Sequence, residues 1–324
     1  EIKFPPQDVL QLKSYYLSSS VHVDSIDYLI GYNYRLHSLD CMNLKSKSVT
    51  QIVLPGDGPD AIVRLSGIYA QSLDSVWISD ESERAFLIDS VGTIKRMIDL
   101  KKYLEDQEQL LINTNYAMFT SHLFYNASRH SLMFLVKHTP SNTFIVKEVF
   151  IDEVGKMATY QLSSSKVVPD MSKGYAYINF PNVNFVGENI VYNYPVESSI
   201  YMLDIRTNER KYILADSHYT SNIIEKCTTS GDYATLEKHW LENSHFYDIM
   251  YLPKYKIYAR LHADKVDFDE KKGMEKLINE RDLYLMLFDE NMEKIGETKL
   301  SNCRYSPFTS WNATYGFSSL FVDN

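Results

Sequence analysis

One pattern recurs along this chain and limits what it can fold into. A short apolar run ends in Asp, a polar turn follows, and a second strand-like run comes after it. The clearest copy is LDSVWISDESERAFLIDSVGTIKRMI, residues 73–98. Residues 76–78 and 85–88 are apolar and read as strands, and SDESER joins them. Asp89-Ser90-Val91-Gly92 reads as a turn, because Asp accepts local backbone bonds and Gly tolerates positive φ. Residues 93–98 then read as an outer strand, which completes a β-meander.

The same grammar occurs at Asp40, Asp152, Asp204 and Asp289, in RLHSLDCMNLKSKSVTQIVL, KEVFIDEVGKMATYQL, SIYMLDIRTNERKYIL and DLYLMLFDENMEKIGETKL. With Asp89 there are five copies, at intervals of 49, 63, 52 and 85 residues. An earlier strand usually precedes each copy, as in YLIGYNY, SLMFLVKH, NIVYNYP and KIYARLH. A period near ~50 with four strands per unit is the pattern of propeller blades. The 25 Tyr and 15 Phe against 12 Gly point the same way, since aromatic residues suit half-buried pleated surfaces.

The expected fold is therefore an all-β six-bladed β-propeller with four-stranded antiparallel blades. Five blades come from the internal units, and the sixth is closed by both termini, from strand-like residues at 14–23 and 305–322. Closure of this kind removes exposed sheet edges. Seven blades are the alternative, because the 85-residue interval has room for a degenerate unit. No Gly/Pro/Ser linker divides the chain, so residues 1–324 read as one domain. Two excursions interrupt the repeats: 99–112, with apolar positions at helical spacing, and the charge-dense 264–281, a short helix or exposed loop.

Composition narrows function mainly by exclusion. The net charge is −9, so the chain has no overall field to attract nucleic acid. No apolar run approaches the ~18 residues of a membrane span. Cys41, Cys227 and Cys303 lie far apart without a Cys-x-x-Cys pair, and they read as thiols rather than zinc ligands.

The histidines, among them His22, His122, His218, His239, His245 and His262, form no His-Glu-x-x-His or His-x-His pair, so no metal or other cofactor is expected. Asp264, Asp267, Asp269 and Glu270 miss the EF-hand spacing and read as a solvated loop. No Gly-x-Ser-x-Gly elbow is present, and GDGPD, residues 56–60, is too short for a phosphate loop.

The remaining lead is the set of tyrosine-rich runs YINFPNVNF, VYNYP and FYDIMYLPKYKIYARLH. Aromatic faces with polar tips serve glycan or peptide recognition, and equally serve packing between blades. Arg260 stands in an apolar strand and needs a carboxylate or an anionic ligand. With Tyr258, Tyr255, His245, Tyr247 and His218 it makes up the candidate ligand-binding set. No residue is assigned a catalytic role.

Two resemblances follow from these segments. Residues 56–98 resemble a propeller repeat of the NHL type, with a Gly-x-Gly turn, an exposed strand end, an apolar strand and Asp-x-x-Gly. The order GDGPDAIVRLSGIYAQSLDSVWI, SSIYMLDI, ILADSHYT, FYDIMYLPKYKIYARLHAD, ENMEKIGETKL resembles a family of uncharacterised propeller lipoproteins from Gram-negative anaerobes of the gut. The resemblance implies a six-bladed propeller and export to the periplasm or outer-membrane surface, with a lipid-anchored precursor whose Cys is absent from this chain. It implies no activity. The expected role is a non-enzymatic binding or scaffold module whose partner is a small molecule, a glycan or an envelope protein. A lyase or hydrolase at the channel mouth, and a protein-interaction ring or sensor ectodomain, are the rivals.

Overall fold

The repeats fold as antiparallel four-stranded sheets, each built from consecutive strands in chain order. The structure, a computed structural model, describes residues 4, 15, 17–112, 121–166, 180–227, 233–300, 310–312 and 316–318. Blade 1 comprises β1 (Ser18–Val23), β2 (Ile26–Asn33), β3 (Ser38–Asn43) and β4 (Val49–Val53). Blade 2 comprises β5 (Leu65–Ser72), β6 (Ser75–Asp80), β7 (Arg84–Ile88) and β8 (Ile94–Asp99). Blade 3 has β9 (Glu108–Leu111) and β10 (Phe124–Asn126) on one side of β11 (Ser131–His138), followed by β12 (Thr143–Phe150) and β13 (Met157–Gln161). Blade 4 comprises β14 (Asn182–Val186), β15 (Asn189–Asn193), β16 (Ile200–Asp204) and β17 (Arg210–Ile213). Blade 5 comprises β18 (His245–Leu252), β19 (Ile257–Ala263), β20 (Leu283–Phe288) and β21 (Lys294–Lys299).

The fold is thus a five-bladed β-propeller, not the six- or seven-bladed one expected. The five Asp-marked repeats correspond to five blades, and the error lay in adding a sixth from the termini. Residues 18–23 are the innermost strand of blade 1, so that blade is complete without any C-terminal contribution. Near the other end the described residues form only a two-stranded hairpin, β22 (Ser310–Asn312) with β23 (Gly316–Ser318), and β22 lies beside β1. The long interval before Asp289 hides no seventh unit. It holds the connection into blade 5, with helix α1 (Tyr233–Leu241), and an insertion between β19 and β20 carrying α2 (Met274–Glu280).

Neighbouring blades share apolar clusters, which is what the inner faces of the strands predict. Ile30 and Leu39 of blade 1 pack with Ile68, Ile78 and Phe86 of blade 2. Trp77 and Ala85 pack with Leu132, Phe134 and Val136 of blade 3. Leu135 and Val146 meet Tyr192, Tyr201 and Leu203 of blade 4, with Trp240 and Leu241 of α1 and Leu277 of α2. Val191 and Ile200 meet Tyr258, Met286 and Phe288 of blade 5.

In three of the five repeats the turn after the third strand explains the Asp, whereas Asp152 of blade 3 is exposed and pairs with Arg96 of blade 2. Asp89 Oδ1 accepts from the backbone N–H of Val91 (3.1 Å) and Thr93 (2.8 Å). Asp204 does the same for Arg206 and Thr207, and Asp289 for Asn291 and Glu293. These are Asx turns, in which the side chain stands in for a backbone acceptor. In blade 1 the role falls to Asn43, which accepts from Lys45 and Ser46. Asp40 is instead buried in mid-strand, taking bonds from Tyr15, Asn33 and Gln51.

The stretch 99–112 is not helical throughout. Asp99 caps a single 3₁₀ turn, Leu100–Tyr103, and Glu108–Leu111 enters the blade 3 sheet. Among the described residues no helix is long and apolar enough to cross a membrane.

Candidate functional site

The two ends of the propeller are built differently. At one end lie the two-strand turns inside each blade, and all are short: 24–25, 44–48, 73–74, 89–93, 127–130, 151–156, 187–188, 205–209, 253–256 and 289–293. At the other end lie the connections from each outer strand to the next inner strand, and the links between second and third strands. This end carries the connection after blade 4, with α1, and the insertion 264–282, with α2. Loops of that length are where a rigid scaffold places binding residues.

The inner strands start at this elaborated end, and three of them bring polar side chains together. A bulge in β18 sets Tyr247 and Asp248 opposite a single residue of β19, between the pairs Phe246↔His262 and Ile249↔Arg260. Bulges re-aim side chains next to functional sites. Here Asp248, itself buried, meets Asn184 of β14, whose Nδ2 donates to Asp248 Oδ2 at 3.0 Å and to the Ile249 carbonyl at 2.8 Å. His122, just ahead of β10, places Nε2 3.9 Å from the same carboxylate oxygen. That nitrogen is buried and has no hydrogen-bond partner among the described residues. Asn182 Nδ2 donates to the Phe246 carbonyl and ties β14 to β18 beside the cluster. One or two residues further along the inner strands, Phe124 stacks on Phe185 at 5.0 Å and stands edge-on to Tyr69 at 5.2 Å, an aromatic belt across blades 2, 3 and 4.

The residues expected from sequence do not form one site. Tyr255 lies 52% exposed in the β18–β19 turn, at the short-turn end, and Tyr258 sits near that end in the cluster between blades 4 and 5. Burial pushes the Tyr258 hydroxyl up to about 12. His218 is on the connection after blade 4 and donates its backbone N–H to Glu297. Arg260 is fully buried between the Phe246 and Phe288 rings, with its guanidinium donating to the Ser198 carbonyl at 2.6 Å and the Ala215 carbonyl at 3.0 Å. Burial lowers it to about 9, against the opposing pull of Glu297, Asp216 and Glu197. Its partners are carbonyls, so it joins blade 5 to blade 4 with neither a carboxylate bridge nor an open face for an anion.

His245 and Tyr247 do belong to the elaborated end. His245 is buried and its Nδ1 accepts from Trp240 Nε1 at 2.9 Å, which places the proton of the neutral ring on Nε2. Burial, reinforced by the Arg281 guanidinium, holds it well below the ordinary histidine range. Tyr247 lies beside it, ring centroids 4.5 Å apart, and burial pushes its hydroxyl up to about 12. Among the described residues neither His245 Nε2 nor Tyr247 Oη has a hydrogen-bond partner.

The candidate set omits Asn184 and Asp248, and His122 is named among the histidines but given no role. Two signals pointed to Asn184 and Asp248: Asn182 and Asn184 recur at period two in PNVNF, and Asp248 is the one acid in the apolar run HFYDIMYL.

A second polar cluster looks catalytic and is not arranged to be. Ser217 Oγ is 3.1 Å from His262 Nε2 and donates to Glu297 Oε1 at 2.6 Å. Glu297 Oε1 also lies 3.2 Å from His262 Nε2. Serine and carboxylate therefore share one ring nitrogen, whereas a nucleophile relay needs them on opposite nitrogens. Ser217 Oγ further accepts from the N–H groups of Tyr219 and Thr220. The cluster is a clasp that fixes the 214–222 loop to β21. Burial and the Arg260 charge lower His262; burial works to raise Glu297, but bonds from Ser217, His218 and Lys294 outweigh it and leave it lowered. Among the described residues no three His, Cys, Asp or Glu side chains converge as a metal site, and Cys303 lies outside those residues.

The family model for a domain of unknown function, DUF4221, matches residues 7–299. The chain belongs to the DUF4221 family. A DUF4221 member from Bacteroides vulgatus, known from its crystal structure, superposes with a TM-score of 0.77 at 14% identity, over 98% of this chain and 89% of that one. That likeness shows the fold alone. Kuenenia stuttgartiensis hydrazine synthase matches at a TM-score of 0.45 and 10% identity, over 92% of this chain and 69% of that one, and lends nothing to the argument. No curated protein matches the chain. An uncharacterised propeller family was expected from the segment order and the DUF4221 match agrees with that much, so the site geometry is what remains to speak for function.

Proposed function

We propose that this DUF4221 propeller is a non-enzymatic binding module of the cell envelope, lipid-anchored in its precursor at the periplasmic or outer-membrane surface. It holds a small molecule, or a short segment of a glycan or envelope protein, at the elaborated end of its channel. The observation that carries the reading is the Asp248–Asn184–His122 cluster. Three blades each contribute one polar side chain to it, toward the end that carries α1 and α2, and a buried His122 nitrogen is left without a partner among the described residues. Unsatisfied buried polar atoms cost about 1–3 kcal/mol each, and a ligand at this point recovers that cost. The Ser217–His262–Glu297 group supports the binding reading over a hydrolase, because its hydroxyl is spent on Glu297 and on loop N–H groups.

The test is a thermal-shift and calorimetry panel of oligosaccharides, peptides and small polar metabolites on the wild type and Asp248→Asn. The expected result is at least one ligand whose shift the substitution removes. Turnover of any panel compound, or a ligand bound equally by both proteins, would sink the proposal.

A further inference from the structure

The chemistry of the channel cluster narrows the ligand class, and this step rests on the binding reading above. Asp248 is a buried carboxylate with no Lys or Arg within ion-pair distance among the described residues. Its Oδ2 takes one bond from Asn184, and its Oδ1 takes none from the described residues. The other buried carboxylates have more partners, including Glu197, which also has no Lys or Arg bridge among the described residues but takes hydroxyl bonds from Tyr201, Ser165 and Ser199. Glu148 has Arg129, Ser131 and Tyr160; Glu108 has Lys147; Asp80 has Arg84; Asp40 has three neutral donors. A desolvated carboxylate is tolerated when a cation or enough donors answer it, and Asp248 has one amide and a histidine at 3.9 Å. The inner strands also supply the aromatic rings of Tyr69, Phe124 and Phe185, whose faces attract cations. The chain's net charge of −9 favours approach of a cation from solution.

We infer that the channel cluster is a receptor for an ammonium group, with Asp248 as counter-charge, Asn184 orienting the carboxylate, and His122 Nε2 meeting a neighbouring polar atom of the same ligand. An amino sugar, a polyamine and a peptide amino terminus share this chemistry.

The experiment uses calorimetry with glucosamine, spermidine and glycylglycine amide, each against its N-acetylated form, and with zinc and calcium chloride. The proteins are wild type, Asp248→Asn and His122→Lys, each checked by circular dichroism. Free amines should bind and their acetylated forms should not. Asp248→Asn should weaken binding about tenfold or more. His122→Lys supplies an internal ammonium and should abolish amine binding while raising the melting temperature, which keeps the test valid if Asp248→Asn fails to fold. Equal binding of acetylated forms, or binding of a metal ion in place of amines, overturns the ammonium class but leaves the binding module standing. If no amine, neutral compound or metal binds, and the wider panel is silent too, both readings fall.

Discussion

At the scale of single residues, buried charge and buried histidine set the energetics. Arg260 fills the space between two aromatic rings and satisfies two carbonyls from blade 4. Replacing it with Ala leaves those carbonyls unanswered and opens a cavity, so Arg260→Ala should lose about 3 kcal/mol or more in urea unfolding. Lys cannot span both carbonyls in a planar fork and should rescue only part of that loss. His245 and His262 both have folded values below the ordinary 6.5. The unfolded chain therefore binds protons that the folded chain refuses. Their contribution is fully present above pH 6.5 and is lost as pH falls below it, by about 1.4 kcal/mol per unit for each ring. Stability measured from pH 7 to 5 should fall, and His262→Gln should flatten the slope by one proton. Arg260 was legible as a residue needing a partner, but the partner was not, because a carbonyl across a blade boundary leaves no mark in spacing. Asp248 and Asn184 were legible only as oddities in apolar runs, since a bulge decides where Asp248 points.

At the scale of elements, strand content was the readable part. The runs at 76–78, 85–88 and 93–98 correspond to β6, β7 and β8, and the Asp-turn grammar reports real Asx turns at Asp89, Asp204 and Asp289 but not at Asp40 or Asp152. What local pattern could not show is which strands share a sheet. Residues 18–23 look the same whether they open blade 1 or help to close a sixth, and only pairing with β2 decides. The helical spacing in 99–112 lost to strand pairing, as tertiary contacts override weak propensity. The turn at Asp89 also carries a blade contact. Gly92 has φ +85°, and a Cβ there would sit 2.2 Å from the Val53 carbonyl oxygen of blade 1. Gly92→Ala should destabilise by about 1–3 kcal/mol from backbone strain and displacement of Val53. Asp89→Ala, which removes the acceptor for two N–H groups and the Lys95 pair, should cost less, because it leaves the backbone unstrained and its ion-pair partner Lys95 is half exposed.

At the scale of the whole molecule, successive blades are joined by shared clusters from the first to the fifth. Such continuity predicts one cooperative unfolding transition. Tryptophan fluorescence and far-ultraviolet circular dichroism should report the same midpoint, and separate midpoints would show that a group of blades melts alone. The asymmetry between the ends belongs to this scale as well. It follows from loop lengths once the strand order is known, and the sequence reading lacked the order and so grouped His245, which starts β18, with Tyr255, in the turn beyond its far end.

Blade 3 has an inner edge made of two pieces. Leu111 pairs with Leu135 and Phe124 with Met133, so β9 and β10 run along β11 almost without a gap although residues 112–123 come between them. β9 is held from the side as well, since Lys147 reaches both the Glu108 carboxylate and the Tyr103 carbonyl. The chain up to residue 112 thus ends as a clasp fastened onto one blade, whose other strands belong to the chain after it. A break or a graft between the two pieces would leave both fastened, which makes the middle of the ring, and not its seam, the place where this propeller can be opened and rejoined.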